Sequence, residues 1–347
     1  MPRAPSRGAL IRRGILLGLA GLVLYLLAPR IGEVLASWPR LVTLDPWWVA
    51  AMVGFQLLSF AGMWVLQRMA VRTHRWGPIV TSQLAGNAFS RIVPGGAAAG
   101  AALQFRMLVR AGFPGGAVAS GLTTSSLLNV AVLLALPALA LPAILSGTPA
   151  DENLTRAALY GGLALVLLFA LGALFLFTNR PLWVTAVGIE RSYNELRPRR
   201  FTPIRYLPQR LLRERNMIRK SFGERWWQAL LASGARWGFD YLCLLAAIEA
   251  AGVDPDPSLV LLAFCVAQFL GMVPITPGGL GLVEAGLGAT LVLAGVPAGE
   301  AFLATLAYRL ASFWLPLPLG LLAAIAHHHL LERDRSSRAG AERPAAP

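Results

Sequence analysis

Long apolar runs separated by short charged loops dominate the chain. Unbroken stretches run from Gly14 to Ala28, Trp47 to about Leu66, Pro114 to about Leu145, Ala157 to Phe177, Trp226 to Ala250 and Pro297 to about Ala326. Most of them have the length of a helix that crosses a hydrocarbon core. Such a core leaves no water to satisfy open backbone groups, so helices are the form these runs predict. Trp47 and Trp48 stand where an interfacial aromatic belt belongs. Two further apolar stretches, Pro78 to Ala111 and Pro257 to Leu293, are interrupted. The first breaks at Pro94-Gly95-Gly96, the second at Pro274-Ile275-Thr276-Pro277-Gly278-Gly279. The pattern predicts an all-α polytopic membrane protein with about six spanning helices and two re-entrant broken-helix hairpins.

The two interrupted stretches align without a gap at an offset of 183 residues. Pro94-Gly95-Gly96 falls on Pro277-Gly278-Gly279, Ala111-Gly112-Phe113-Pro114 on Ala294-Gly295-Val296-Pro297, and Gly116 on Gly299. Arginines orient the copies. Arg3, Arg7, Arg12 and Arg13 place the N-terminus in the cytoplasm, and Arg68, Arg72 and Arg75 follow the second span on the same side. The segment 179–225 carries twelve Arg or Lys against four Glu and is cytoplasmic by the same rule. An odd number of crossings then separates the copies, so they enter from opposite faces as an inverted repeat. In transporters that arrangement puts a substrate site near the midplane.

Expected boundaries follow: a cytoplasmic tail at 1–12, one transmembrane domain at 13–330 with hairpins at 78–113 and 257–296, and a disordered cytoplasmic tail at 331–347. Arg12-Arg13 ahead of Gly14 to Ala28 reads as an uncleaved signal-anchor. The expected location is the bacterial inner membrane, multi-pass, with both termini cytoplasmic. Composition agrees, with 56% hydrophobic residues, 14% charged and a mean hydropathy of +0.59. The formal charge of +14 sits largely in the loops, which points to anionic lipid headgroups and not to nucleic acid. Leu207, Leu211, Ile218 and Phe222 fall at helical spacing among Arg210, Arg213, Arg215, Arg219 and Lys220, which predicts a basic amphipathic helix on the membrane surface. Cys243 and Cys265 both lie in apolar segments and read as buried small hydrophobes.

Charged residues inside spans are costly and mark function or pairing. Arg236 and Asp240 lie one turn apart on one helix and have the spacing to pair. Glu284 lies seven residues beyond Pro277, and Arg309 midway along the last span. A Glu284–Arg309 pair offsets most of the burial cost of both, as a helix clamp or as part of a headgroup site. Arg91, three residues before the first break, has the planar geometry that suits phosphate. Asn87, Ser90, Gln104, Gln268 and Thr276 supply polar groups near the breaks. His327-His328-His329 point in different directions on a helix, so no metal site is expected. No catalytic motif is present, so no enzyme and no cofactor is expected.

The run Pro274-Ile275-Thr276-Pro277-Gly278-Gly279-Leu280-Gly281-Leu282-Val283-Glu284, followed by Gly295 and Tyr308-Arg309, resembles the signature of the lysylphosphatidylglycerol synthase transmembrane-region family. Arg91-Ile92-Val93-Pro94-Gly95-Gly96 with Gly112 downstream is similar to that family's other motif, and Trp237 with Asp240 fits less specifically. The resemblance covers roughly residues 10 to 328. It implies a flippase-like domain that moves lipids, with Glu284, Arg309, Arg91 and the two Pro-Gly-Gly breaks as functional positions; Tyr308, Arg236 and Asp240 are further candidates for the headgroup cavity. Two departures stand out: after His329 only a short polar tail remains in place of an aminoacyltransferase domain, and Ala101 occupies the position that matches Glu284. The implied activity is that of a stand-alone flippase or transporter for an anionic or lipid-linked headgroup. The alternatives are a membrane transferase and a non-transporting partner of a separately encoded lipid-modifying enzyme.

Overall fold

The computed structural model describes residues 44–93, 96–140, 178–196, 226–273 and 276–341, together with Pro39, Leu41, Tyr206, Pro208, Gln209 and Leu212. The expected spans at 14–28 and 157–177, all of the expected basic amphipathic helix at 207–222 except Pro208, Gln209 and Leu212, and the residues Pro94, Gly95, Pro274 and Ile275 lie outside the described residues. Helices account for nearly all of what is described: α1 (Pro46–Val71), α2 (Trp76–Ile92), α3 (Gly96–Arg110), α4 (Gly115–Ala135), α5 (Asn179–Leu196), α6 (Trp226–Ala250), α7 (Pro257–Met272), α8 (Leu282–Leu293), α9 (Ala298–Arg309) and α10 (Pro316–Ala341). Among them, Pro46–Val71, Gly115–Leu139 and Ala298–Glu332 are long and apolar enough to cross a membrane. The helix α6 has the length but carries Arg236 and Asp240 within it.

Helices α2 and α3, of 17 and 15 residues, reach only about 25 and 22 Å at the α-helical rise. Helices α7 and α8, of 16 and 12 residues, reach about 24 and 18 Å, also short against a core of about 30 Å. Each pair folds back on itself. A side chain at Gly86 would press on the Gly100 carbonyl, and one at Gly96 on Ser90, contacts that step in opposite directions along the chain and so define antiparallel helices. Gly286 lies against Leu270, and Gly271 faces Val283, in the same antiparallel sense. Small residues let these backbones approach closely where lipid supplies no hydrophobic force to drive them together.

The chain divides into two compact units. The first holds Met1–Leu57, Val80–Met107 and Asp240–Pro347. Within it α10 lies antiparallel along α2: Gly320 abuts Leu84 and Ala88, and one to two turns on, His327 meets Thr81. His327 is buried, accepting from the Thr81 hydroxyl at 2.7 Å through Nδ1 and donating through Nε2 to the Met107 carbonyl at 3.2 Å. Both ring nitrogens are thus satisfied in the neutral form. The second unit holds Leu58–Ile79 and Leu108–Phe239. Its core gathers Leu66, Ala229 and Ala232, with Met63, Val65, Met69 and Leu128 packed around them. The Ser59 hydroxyl donates to the Arg236 carbonyl at 2.8 Å, and the Trp237 indole N–H to the Asn129 carbonyl at 2.8 Å.

The last apolar run forms one membrane-length helix, Ala298–Glu332, with a π turn at Leu310–Trp314 between α9 and α10. Pro316 explains it, since its ring would collide with the carbonyl four residues back in a continuous α-helix. Helix α10 continues to Ala341. Leu, Glu, Arg and Ala are good helix formers and carry the helix onward there.

Candidate functional site

The turns that end α3 and α8 prepare the ground. Gly112 and Gly295 take φ of +89° and +90°, the left-handed conformation that closes a helix C-terminus with least strain for glycine. Gly112 N–H donates to Val109 O and Phe113 N–H to Leu108 O; Gly295 N–H donates to Val292 O and Val296 N–H to Leu291 O. Each of these bonds maps onto its counterpart at the offset of 183 residues. Pro114 and Pro297 then open the next helices with φ of −60° and −59°. The breaks themselves differ. Three residues, 93–95, separate α2 from α3, whereas nine, 273–281, separate α7 from α8.

In the second break Gly278, Gly279 and Gly281 all have positive φ, at 57°, 72° and 83°. Gly278 also touches the Phe313 ring and lies against the backbone of Arg91, so a β-carbon there has no room. The second break is thereby seated directly on the residue that precedes the first. Glu284, at the third position of α8, reaches back and accepts from Gly281 N–H at 2.7 Å through Oε2. Its Oε1 accepts from Arg309 Nε at 2.7 Å. Arg309 Nη2 donates to the Gly278 carbonyl at 3.3 Å. The expected Glu284–Arg309 pair therefore forms, and the freed backbone of the break supplies a third party to it.

Phe313 ties the two breaks together. Its ring lies 4.5 Å from the Arg309 guanidinium carbon and 5.2 Å from that of Arg91. Both are within the range where an aromatic quadrupole attracts a cation. Arg91 Nε donates to Asn87 Oδ1 at 2.7 Å, and Ser90 Oγ to the Asn87 carbonyl. Thr276 Oγ1 is buried with no hydrogen-bond partner among the described residues. Beside Arg309, Tyr308 donates to Asp240 Oδ1 at 3.2 Å and accepts from Gln268 Nε2 at 2.9 Å, linking α6, α7 and α9. All of these residues belong to the first unit.

Most of the expected site residues come together here: Arg91, Thr276, Gly278, Gly279, Glu284, Tyr308, Arg309 and Asp240. Gly96 serves the α2–α3 contact. Pro277 opens the three-residue turn Pro277–Gly279. Arg236 places its guanidinium over the Trp237 ring at 3.4 Å, in the second unit. Arg210, Arg213, Arg219, Lys220, Pro94 and Gly95 lie outside the described residues. Sequence reading missed Phe313. Its signal was the spacing of four from Arg309, which puts two side chains on one helix face. It also missed that His328 and His329 both turn toward Glu332, at 3.2 and 3.5 Å, in an exposed cluster.

Residues 14–320 match the family profile described as the lysylphosphatidylglycerol synthase TM region. Shorter stretches are similar to UPF0104 membrane proteins of Methanothermobacter thermautotrophicus. One is 34% identical over 89 residues, which is 26% of this chain and 25% of that protein. A second is 33% identical over 86 residues, 25% of this chain and 26% of that protein. The chain thus spans about a quarter of the length of the curated relatives it matches. No solved structure matches it.

Proposed function

This chain belongs to the lysylphosphatidylglycerol synthase transmembrane-region family of membrane proteins, and we propose that it carries phospholipid headgroups across the bacterial inner membrane, with both termini cytoplasmic. The observation that carries this reading is the meeting of two arginines around Phe313, Arg91 from the first interrupted stretch and Arg309 from the last span, where it is paired with Glu284 of the second interrupted stretch. Guanidinium groups match phosphate oxygens in charge and geometry. Opened backbone at the breaks is compatible with membrane depth only where protein or water satisfies it. A headgroup phosphate would sit between Arg91 and Arg309, near the Gly278 carbonyl and the Thr276 hydroxyl, while acyl chains remain in lipid.

Alternating movement of the two interrupted stretches would then expose that phosphate to one leaflet and the other. The turns at Gly112 and Gly295 are suited to act as the fixed ends of such a movement. No chemical step is needed, so the reading is of a transporter and not an enzyme. A separately encoded lipid-modifying enzyme would supply or consume the lipid. The test is headgroup accessibility in proteoliposomes holding fluorescent phosphatidylglycerol. Wild type equilibrates the label between leaflets, and Arg309→Ala slows this at least about a hundredfold while still inserting and folding, the scale of losing a charge-assisted contact. Wild-type rates in a well-folded Arg309→Ala rule the site out.

A further inference from the structure

Glu284 does more than neutralise Arg309. Its carboxylate has two anchors: Oε1 on Arg309 Nε and Oε2 on Gly281 N–H, each at 2.7 Å. The second anchor is the N-terminus of α8, where a negative charge is stabilised whether or not the arginine is present. Arg309 likewise keeps the Gly278 carbonyl and the Phe313 face when the carboxylate lets go. Neither partner depends wholly on the other. Arg309 and Glu284 side chains are 9% and 16% exposed, so the pair is largely but not fully sealed.

A pair built in this way can exchange. An incoming phosphate oxygen replaces Glu284 Oε1 on the guanidinium, while Glu284 stays on α8 within a few ångströms of the bound headgroup. From there it repels the bound headgroup, and it repels two charges more than one. We infer that Glu284 is a specificity-determining residue of the headgroup site proposed above: it admits singly charged phosphodiester headgroups and holds back doubly charged phosphomonoesters. The inference rests on the transport reading but addresses a separate property, the charge of the headgroup accepted. The first interrupted stretch has Ala101 at the matching position, so the filter acts on one side of the site only.

The probes are phosphatidylglycerol, a diester, and phosphatidic acid, a monoester whose second proton leaves near pH 6. Each is offered in nanodiscs to the full chain at pH 8.5, and binding is read by competition against a fluorescent phosphatidylglycerol. Wild type prefers the diester. In Glu284→Gln, which keeps an acceptor for Gly281 N–H, the ratio of monoester to diester binding rises at least about tenfold, equal to about 1.4 kcal/mol. Glu284→Asp keeps the charge and the wild-type preference. An unchanged ratio in Glu284→Gln, or an equal shift in Glu284→Asp, overturns the inference.

A measurement on wild type alone guards against a misfolded variant. Lowering the pH from 8.5 to 5 removes the monoester's second charge, and the preference for the diester should vanish with it. A preference unchanged between the two pH values overturns the charge filter. Binding of both lipids without preference at pH 8.5 overturns the filter and leaves the transport reading standing. Binding of neither lipid overturns both.

Discussion

The turns at Gly112 and Gly295 and the breaks at 93–95 and 273–281 make opposite comparisons. The turns agree to within one degree of φ and in the pattern of their hydrogen bonds. The breaks differ in length, and they differ in chemistry. Before the first stands Arg91, held by Asn87; after the second stands Glu284, held by Gly281 and Arg309. Scaffold positions have been kept alike while the polar positions have been given different work. A site with one cation contributed by one break and a carboxylate by the other is asymmetric, although the frame that supports it is nearly not.

The largest expected effect attacks the break alone. Gly278→Ala forces a β-carbon against Phe313 and the Arg91 backbone at a positive φ. It should cost about 3 kcal/mol or more, combining overpacking with left-handed strain. A thermal shift of purified protein checks this, and Gly295→Ala serves as the control with open space around it. If both lose the same stability, the second break is no more constrained than a turn.

Next in size is the loss of Glu284 altogether. Glu284→Ala leaves the Arg309 guanidinium with the Gly278 carbonyl and Phe313 as its remaining partners. Removing one member of a buried pair costs about 3 kcal/mol in such settings, less here because Glu284 retains some solvent access. The matching change in the other stretch, Ala101→Gly, should cost about 1 kcal/mol from helix propensity alone. Equal losses would mean the carboxylate contributes nothing beyond its helix position.

Smaller effects test the likeness of the turns. Gly112→Ala and Gly295→Ala meet no neighbour within 4 Å, so each loses only the ease of a left-handed backbone, about 1 kcal/mol. Their urea midpoints should move together. A difference above the scatter between them would show that the shared φ hides different loads. Smallest of all, Thr276→Val should leave stability within about 0.5 kcal/mol of wild type, because the hydroxyl lacks a partner among the described residues. A drop in transport beyond the drop in stability would give that hydroxyl a role toward substrate.

Much of this was readable because the physics of a lipid interior is unforgiving. Glu284 and Arg309 were readable as a pair, since a lone charge in an apolar span is costly, and they do pair. The run Ala-Gly-X-Pro was readable as a repeated position, and both copies prove to be a left-handed glycine turn between two helices. Phe313 was missed for the opposite reason: an apolar residue in an apolar span draws no notice by itself, and only its spacing of four from Arg309 pointed to it. The π turn had a cue in Pro316, but a proline inside a membrane span is accommodated in several ways. His327 was grouped with two adjacent histidines as a metal question. The structure separates them, burying His327 against Thr81 and Met107 and leaving His328 and His329 exposed. Arg236 places its guanidinium over the Trp237 ring, and Asp240 accepts from the Tyr308 hydroxyl, a neighbour that the spacing of four alone did not reveal.

The π turn at Leu310–Trp314 also sets an angular phase. It winds one more residue than an α-helical turn between Arg309 and everything downstream, closing with Leu315 N–H on the Leu310 carbonyl at 2.9 Å. Deleting one residue there would rotate α10 by about 100° relative to α9. Gly320 would swing off Leu84 and Ala88, and His327 off Thr81, while Glu284 and Arg309 stayed in place. The Glu284–Arg309 pair and the seam that anchors α10 to α2 are therefore geared together through a single surplus residue.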